Sequence, residues 1–318
     1  MKILIGYDGS ESANAAIDDL RRAGLPERGE AVALSVAETW PHLPTVGGGL
    51  APGLDDWMLP ALEDARELSI IEVKRASDSV AEAVKRVQSI LPKWTVTGEA
   101  VADAPHWGLV KKADTWKPDL IVVGSHGRSV VGRLVLGSVS HSVLTHAGCS
   151  VRIGRWSGKW ERGPIRVVLG VDGSAGSAAA MSVVQARRWT PGSEVRVISV
   201  VDSSISTALP VDGLAAGWLP VRYESPIQWV THAATHVARE LKEAGVSAAH
   251  EVCEGNPRKV LIEEAERWNA DCIFVGAKGM SRLERFLMGS VSLAVATRAH
   301  CSVEVVRQQN DAGSTGKP

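Results

Sequence analysis

Two stretches of this 318-residue chain carry glycine and serine at one spacing, each just after a short apolar run. The first, GSHGRSVVGRLVLGS, sets Gly124, Gly127, Gly137 and Ser138; the second, GAKGMSRLERFLMGS, sets Gly276, Gly279, Gly289 and Ser290. Both fit Gly-x2-Gly-x9-Gly-Ser, and they lie 152 residues apart. The chemistry this pattern suits is anion binding. Glycines beyond the end of a parallel strand let the backbone approach a ligand closely. A helix that starts at Gly-Ser offers backbone N–H groups and a hydroxyl to a phosphate. His126 and Lys278 occupy the same place between the paired glycines, one able to donate a hydrogen bond, the other a point charge.

The repetition extends beyond the loops. KILIGYDGS (2–10) matches RVVLGVDGS (166–174), so Asp8 corresponds to Asp172 at an offset of 164. ALSVAE (33–38) matches VISVVD (197–202) at the same offset. DLIVVGSHG (119–127) matches DCIFVGAKG (271–279), and CSVRI (149–153) matches CSVEV (301–305), both at 152. The first half therefore carries a net insertion of 12 residues between Glu38 and about Glu99. Units of about 150 residues are ordinary domain size, so this is a duplicated domain, not a short-period solenoid.

The elements that must position these residues follow from the hydropathy pattern. In the first unit the apolar runs Lys2–Tyr7, Ala31–Val36, Thr95–Val101, Leu120–Val123 and Ser150–Ile153 predict strands. Helices are expected from Ser10 to about Ala23, from Ala61 to about Ser89, from Pro105, and over Ser138–His146. In the long helix, Leu68, Ile71, Val80, Ala83, Val84 and Val87 fall near the helical period. Pro41–Pro60, rich in Pro and Gly, is expected to be a long loop. The second unit predicts strands at Arg166–Val171, Glu194–Val200, Ala248–Val252, Cys272–Val275 and Ser302–Val306. Its helices are expected near Ser177–Trp189, Pro226–Ala244, Pro257–Trp268 and Ser290–Arg298. Short, almost wholly apolar strands alternating with helices imply a parallel sheet covered on both faces. Ligands of such sheets sit beyond the strand C-termini, where strand order switches. The Asp after strand one, the end of strand two and the glycine loop after strand four should converge there.

Composition bounds the function. Net charge is −1, which gives no electrostatic footprint for nucleic acid or an anionic membrane surface. No apolar run approaches the length of a membrane span, and the start of the chain lacks the pattern of a secretory signal. The four cysteines, Cys149, Cys253, Cys272 and Cys301, form no Cys-x2-Cys pair, which fits a reduced, cytoplasmic setting. There is no Walker A sequence, no Gly-x-Gly-x2-Gly after the first strand, and no Ser-Gly-Gly-x-Asp-Ser loop. His232 and His236 share a helical face but lack a third ligand at zinc-like spacing. Trp116 and Trp268 recur at the 152 offset and read as packing. No carboxylate pair or Ser/His/Asp arrangement stands out as a catalytic centre, so any turnover is expected to be slow at most.

GYDGS and GVDGS, the Ser-Val pair closing strand two, VVGSHG and FVGAKG, and the glycine loop together resemble the universal stress protein family over nearly the whole chain, as two tandem domains. The two intact loops resemble the family's ATP-binding branch. That resemblance implies two Rossmann-like (adenine nucleotide alpha hydrolase-like) α/β domains, each a five-stranded parallel sheet with helices on both faces. Their expected bounds are 1–155 and 165–307, with a linker at 156–164 and a disordered tail at 308–318. It implies ATP as ligand, with Mg²⁺ as the accompanying ion. In the first domain the set is Gly6, Asp8, Val36, Gly124, His126, Gly127, Gly137, Ser138, Val139 and Ser140. In the second it is Gly170, Asp172, Val200, Gly276, Lys278, Gly279, Gly289, Ser290, Val291 and Ser292. Asp8 and Asp172 would contact the adenine or ribose side and Val36 and Val200 the adenine; the glycines and serines would hold ribose and phosphates. The implied role is a nucleotide-dependent stress-response regulator; the alternatives are a slow ATP hydrolase of the same fold and a structural interaction module with empty crevices.

The resemblance also implies pairing through the last strand of each unit, within the chain through 150–154 and 302–306, with a homodimer as a further association. Arg152 and Glu304 are repeat equivalents of opposite charge. Antiparallel pairing about a pseudo-twofold axis would set them opposite each other, contributing roughly 0.2–1 kcal/mol as a cross-strand pair.

Overall fold

The computed structural model describes residues 1–38, 45–46, 49–50, 59–126, 136–155, 163–202, 226–279 and 288–308, with backbone only at 45–46, 49–50, 59–66 and 226. The expected linker falls largely, and the expected tail almost wholly, outside these residues, as does Gly127.

The first unit runs β1 (Lys2–Gly6), α1 (Glu11–Asp19), β2 (Glu30–Ala37), two short strands β3 (Thr45–Val46) and β4 (Gly49–Leu50), α2 (Leu59–Ile90), β5 (Thr95–Ala102), α3 (Pro105–Trp116), β6 (Leu120–Gly124), α4 (Ser138–His146) and β7 (Ser150–Gly154). The second runs β8 (Arg166–Gly170), α5 (Ala175–Ala186), β9 (Glu194–Val201), α6 (Pro226–Glu243), β10 (Ala248–Glu254), α7 (Pro257–Arg267), β11 (Cys272–Gly276), α8 (Ser290–Arg298) and β12 (Ser302–Val306). The stretch expected to be an unstructured loop thus contains the antiparallel pair β3–β4, with Thr45 opposite Leu50 and Val46 opposite Gly49.

Within each unit five strands pair in parallel, in the orders β5-β2-β1-β6-β7 and β10-β9-β8-β11-β12. The two sheets join edge to edge through an antiparallel β12–β7 contact into one ten-stranded sheet. Alternation along each strand sends side chains to opposite faces. Leu4 and Val168 enter one continuous apolar layer that runs beneath both units and takes in α3, α4, α7 and α8. Ile3 and Ile5 enter a separate core under α1 and α2. Val167 and Leu169 enter another under α5 and α6.

On that second face the two cores meet at the β7–β12 junction, and the junction is filled by charge. The register places Arg152 opposite Glu304, and both side chains are fully buried. Arg152 donates to Asp19 at 2.6 and 3.1 Å and to Glu304 at 3.1 Å; Arg187, at the end of α5, donates to the other Glu304 oxygen. Burial works against the charge on Arg152, but Asp19 and Glu304 outweigh it and hold the guanidinium protonated. Nearby, Arg22 bridges Asp271 at 2.8 Å across the same junction. The cross-strand pair is thus one link in a buried chain of alternating charges, Asp19–Arg152–Glu304–Arg187.

The helix α2 departs from the periodicity reading. Val80, Ala83 and Val87 are buried against β2 and β5, whereas Leu68 is 62% and Ile71 55% exposed. At 1.5 Å per residue its 32 residues span roughly 48 Å, and burial of its apolar face among the described residues begins at Ala76, with Leu68, Ile70, Ile71 and Val73 exposed ahead of it.

Candidate functional site

The switch in strand order falls between β1 and β6 in the first unit and between β8 and β11 in the second. Asp8 and Asp172 leave the first of these strands. Each carboxylate accepts from a backbone N–H two residues on, Ser10 and Ser174, both at 3.0 Å. The intervening Gly9 and Gly173 take φ of +79° and +78°, the left-handed region this tight turn needs. Ser10 and Ser174 then cap α1 and α5, accepting from Ala13 N and Ser177 N. The caps hold each aspartate at the mouth of the switch point, half-buried.

The glycine loops come down beside these turns. In the second unit a methyl placed on Gly279 would lie 2.6 Å from Asp172 Oδ2, so a larger residue there would push against this carboxylate. Ser174 Oγ donates to the Lys278 carbonyl at 3.4 Å. In the first unit His126 N donates to Ser12 Oγ at 3.2 Å, and His126 Nδ1 lies 2.9 Å from Ser125 Oγ. Ser12 and Ser125, 3.3 Å apart, thus stitch the loop to α1; neither was expected from the motif.

The helices beyond the loops start bare. Gly137 and Gly289 are the N-caps of α4 and α8, in extended conformation, and neither helix has a side-chain cap. Gly137 N is tied to Ser125 O at 2.7 Å and Gly289 N to Ala277 O at 2.8 Å, which fixes both helix starts against the strand ends. Ser138 and Ser290 are exposed at the first helical position, and Val139 and Val291 are half-buried behind them. These first-turn N–H groups have no intrahelical acceptors, the kind of helix start at which anions bind.

Several residues of the expected sets also take part in packing. Ser140 and Ser292 hydroxyls donate to the carbonyls of Gly124 (2.7 Å) and Gly276 (2.6 Å), so these hydroxyls are used within the fold. A methyl on Gly124 would strike Ser12 backbone at 2.8 Å, and one on Gly276 would strike Gly176 backbone at 2.4 Å: these glycines bring β6 and β11 against α1 and α5. Gly6 and Gly170 face Leu109 of α3 and Leu261 of α7, so their smallness also answers to helix packing. Val36 and Val200, half-buried near the ends of β2 and β9, border the apolar layer, and Val36 packs on Gly108 of α3.

Two residues that the motif did not flag lie against these elements of the second unit. Arg258, in the first turn of α7, donates to Ser290 Oγ at 2.8 Å and brings a guanidinium to the bare α8 start. Its repeat equivalent is His106, so only a comparison of the two halves singles it out. Trp229 of α6 packs its indole on Gly173, beside Asp172. In the first unit Tyr7 donates to Asn14 at 2.8 Å; burial and Glu82 push its phenol up to about 12, leaving a neutral donor next to Asp8. Trp116 and Trp268 receive cations, Lys2 at 5.3 Å and Arg196 at 4.3 Å, which fits packing.

The fold and the paired crevices define a class: a tandem α/β protein of two parallel five-stranded units, each with a glycine loop and an aspartate turn at its switch point. The model of the universal stress protein family matches residues 1–154 and again 165–307. The chain belongs to the universal stress protein family. It is 27% identical over 312 residues to a universal stress protein of Mycobacterium tuberculosis, covering 96% of this chain and 97% of that one. A universal stress protein of Methanocaldococcus jannaschii is 35% identical over 145 residues, 45% of this chain and 82% of its own. The crystal structure of a universal stress protein from Archaeoglobus fulgidus superposes with a TM-score of 0.59 at 20% identity, covering 97% of this chain and 98% of its own. Among the described residues no helix is long and apolar enough to cross a membrane.

Proposed function

We propose that each domain binds one ATP, accompanied by Mg²⁺, and that the chain acts in the cytoplasm as a nucleotide-dependent stress-response regulator. The observation that carries this reading is the duplicated helix start: Gly137-Ser138 and Gly289-Ser290 begin helices without side-chain caps, each beside an aspartate-bearing turn. Phosphates would meet the N–H groups of Ser138, Val139 and Ser140, and of Ser290, Val291 and Ser292. The Gly124–Gly127 and Gly276–Gly279 loops would border the ribose, with His126 and Lys278 beside them. Asp8 and Asp172 would take the ribose side, and adenine would lie toward Val36 and Val200. Arg258 adds a second cation to the crevice that already holds Lys278, so the second domain is the tighter binder.

The same reading divides the chain at 156–164, with a tail from 308, and keeps the two domains paired through β7 and β12 in solution, leaving homodimerisation to other surfaces.

The test is nucleotide analysis of the purified, denatured protein, followed by calorimetric titration with ATP. Ser138→Asp and Ser290→Asp place an anion at a helix N-terminus, which favours the helix but repels phosphate. Each is expected to remove one of two sites without loss of stability. Wild-type protein that neither carries nor takes up nucleotide would overturn the reading.

A further inference from the structure

On the outer strand of the second unit, Glu251 and Cys253 of β10 face Glu264 of α7. One donor atom from each, two carboxylate oxygens and a sulfur, lie within 4.8 Å of one another. The duplicated fold supplies its own comparison. At the 152 offset the corresponding residues of the first unit are Glu99, Val101 and Lys112. There Lys112 Nζ binds Glu99 at 2.6 Å, so an ammonium neutralises the strand carboxylate. In the second unit the lysine is replaced by Glu264 and the valine by Cys253. The built-in cation is gone and a second carboxylate and a thiol stand in its place.

The surrounding charges do not close this gap. Arg196 approaches Glu251 Oε2 at 3.7 Å, and Arg267 holds Glu264 Oε1 at 2.5 Å. Each takes one oxygen of its partner, and Arg267 is mostly exposed, where screening weakens it. Glu264 itself is 4% exposed, and its Oε2 is buried without a hydrogen-bond partner. A buried carboxylate oxygen left unmatched is costly, and a cation is what matches it.

We propose that Glu251, Cys253 and Glu264 form a binding site for a divalent cation of the zinc class, joining β10 to α7 in the second unit. Thiolate and carboxylate are both zinc donors, and three protein ligands leave one position for water. Metal–donor bonds of about 2.0–2.3 Å place tetrahedral donors roughly 3.3–3.8 Å apart, which rotation of two half-exposed side chains can reach from the observed spacing. Arg196 and Arg267, each already on a carboxylate oxygen, become the outer partners that orient the ligating carboxylates. The site needs no nucleotide and does not rest on the function proposed above. It would clip the outermost strand of the sheet to the helix above it.

The experiment uses the full chain, stripped with a chelator and titrated first with Co²⁺, then with Zn²⁺ in competition. One Co²⁺ per chain is expected, with thiolate-to-cobalt charge-transfer absorption that Zn²⁺ abolishes. Cys253→Val and Glu264→Lys each install the residue of the first unit. Loss of even an outer partner of a metal ligand weakens binding 10–100-fold, so removing a ligand should cost at least about 100-fold in Zn²⁺ affinity. Cys253→Val should also lose the charge-transfer band. Glu264→Lys should melt no lower than the metal-free wild type, because the lysine recreates the pair with the strand carboxylate. Wild-type protein without the thiolate band, or a Cys253→Val variant that keeps it or keeps wild-type Zn²⁺ affinity, would overturn the proposal.

Discussion

The buried charge chain at the domain junction makes the sharpest stability prediction. Arg152 is fully buried and contacts Asp19 and Glu304 at 2.6–3.1 Å. At an effective dielectric of 20, two unit charges 4 Å apart attract by about 4 kcal/mol, so its two partners together offer about 8 kcal/mol. Desolvation removes several kcal/mol per ion, so the assembled chain contributes little net stability. Removing one member is a different matter. Arg152→Met withdraws both attractions and leaves the Asp19 carboxylate buried without its partner, while Glu304 keeps Arg187. The expected loss is about 3–5 kcal/mol. Asp19→Leu combined with Arg152→Met removes the stranded charge together with its cause, so the double variant should be more stable than Arg152→Met alone. Exchanging the cross-strand pair, Arg152→Glu with Glu304→Arg, should not rescue, because it sets a carboxylate beside Asp19 and a guanidinium beside Arg187. The assay is guanidinium unfolding of the full chain, monitored by tryptophan fluorescence, with Asp19→Leu as the fourth corner of the cycle. If Arg152→Met costs less than about 1 kcal/mol, or the Asp19/Arg152 cycle is additive, the junction is not held as argued.

Gly279→Ala should weaken nucleotide binding in the second domain alone, since its methyl would displace the Asp172 carboxylate from 2.6 Å; binding isotherms that keep two full sites would contradict this. Gly124→Ala should instead destabilise the first domain by about 1–3 kcal/mol, because its methyl meets Ser12 backbone at 2.8 Å and backbone cannot step aside; a denaturant midpoint unchanged from wild type would refute that. Burial pushes the thiols of Cys149 and Cys272 up to about 11 and about 12, and Cys301 higher still, from an ordinary 9.0. The folded chain therefore retains protons that the unfolded chain releases, and stability should fall as pH rises above 9, by roughly 1 kcal/mol per pH unit per thiol until each folded value is passed. Cys272→Ala should make that slope shallower, as read from unfolding at several alkaline pH values; an unchanged slope would refute the assignment.

How much of this was legible in the sequence depended on whether the information was local. The strands were, because parallel strands covered on both faces must be apolar almost throughout, as Ile3-Leu4-Ile5 is. The helix starts at Ser138 and Ser290 were, because Gly-Ser after an apolar run is a local signal. The purpose of each glycine was not. Gly124 and Gly6 look alike in the sequence, yet one answers to α1 and the other to α3, and only the packed helices tell them apart. Leu68 and Ile71 keep the helical period of α2, but period says nothing about where the sheet beneath it ends.

Charge was the least legible, and for a specific reason. The opposition of Arg152 and Glu304 follows from the repeat, but its energy depends on Asp19 and Arg187, whose equivalents at the 164 offset, Val183 and Ala23, are apolar. The second unit's Cys253 and Glu264 stand where the first unit has Val101 and Lys112, and its Arg258 where the first has a histidine, His106. Duplication fixes one backbone twice, so a position polar in one copy and apolar or oppositely charged in the other marks a place where the copies took on separate tasks. At the junction the difference makes the two halves complementary rather than self-complementary, since a second first unit would set Arg152 against Arg152. At the crevices it gives the second domain two added cations. On the outer strand it exchanges an ammonium and a valine for a second carboxylate and a thiol. Comparing the two halves position by position therefore locates the specialised sites of this chain, whereas the motifs that the halves share locate only what they hold in common.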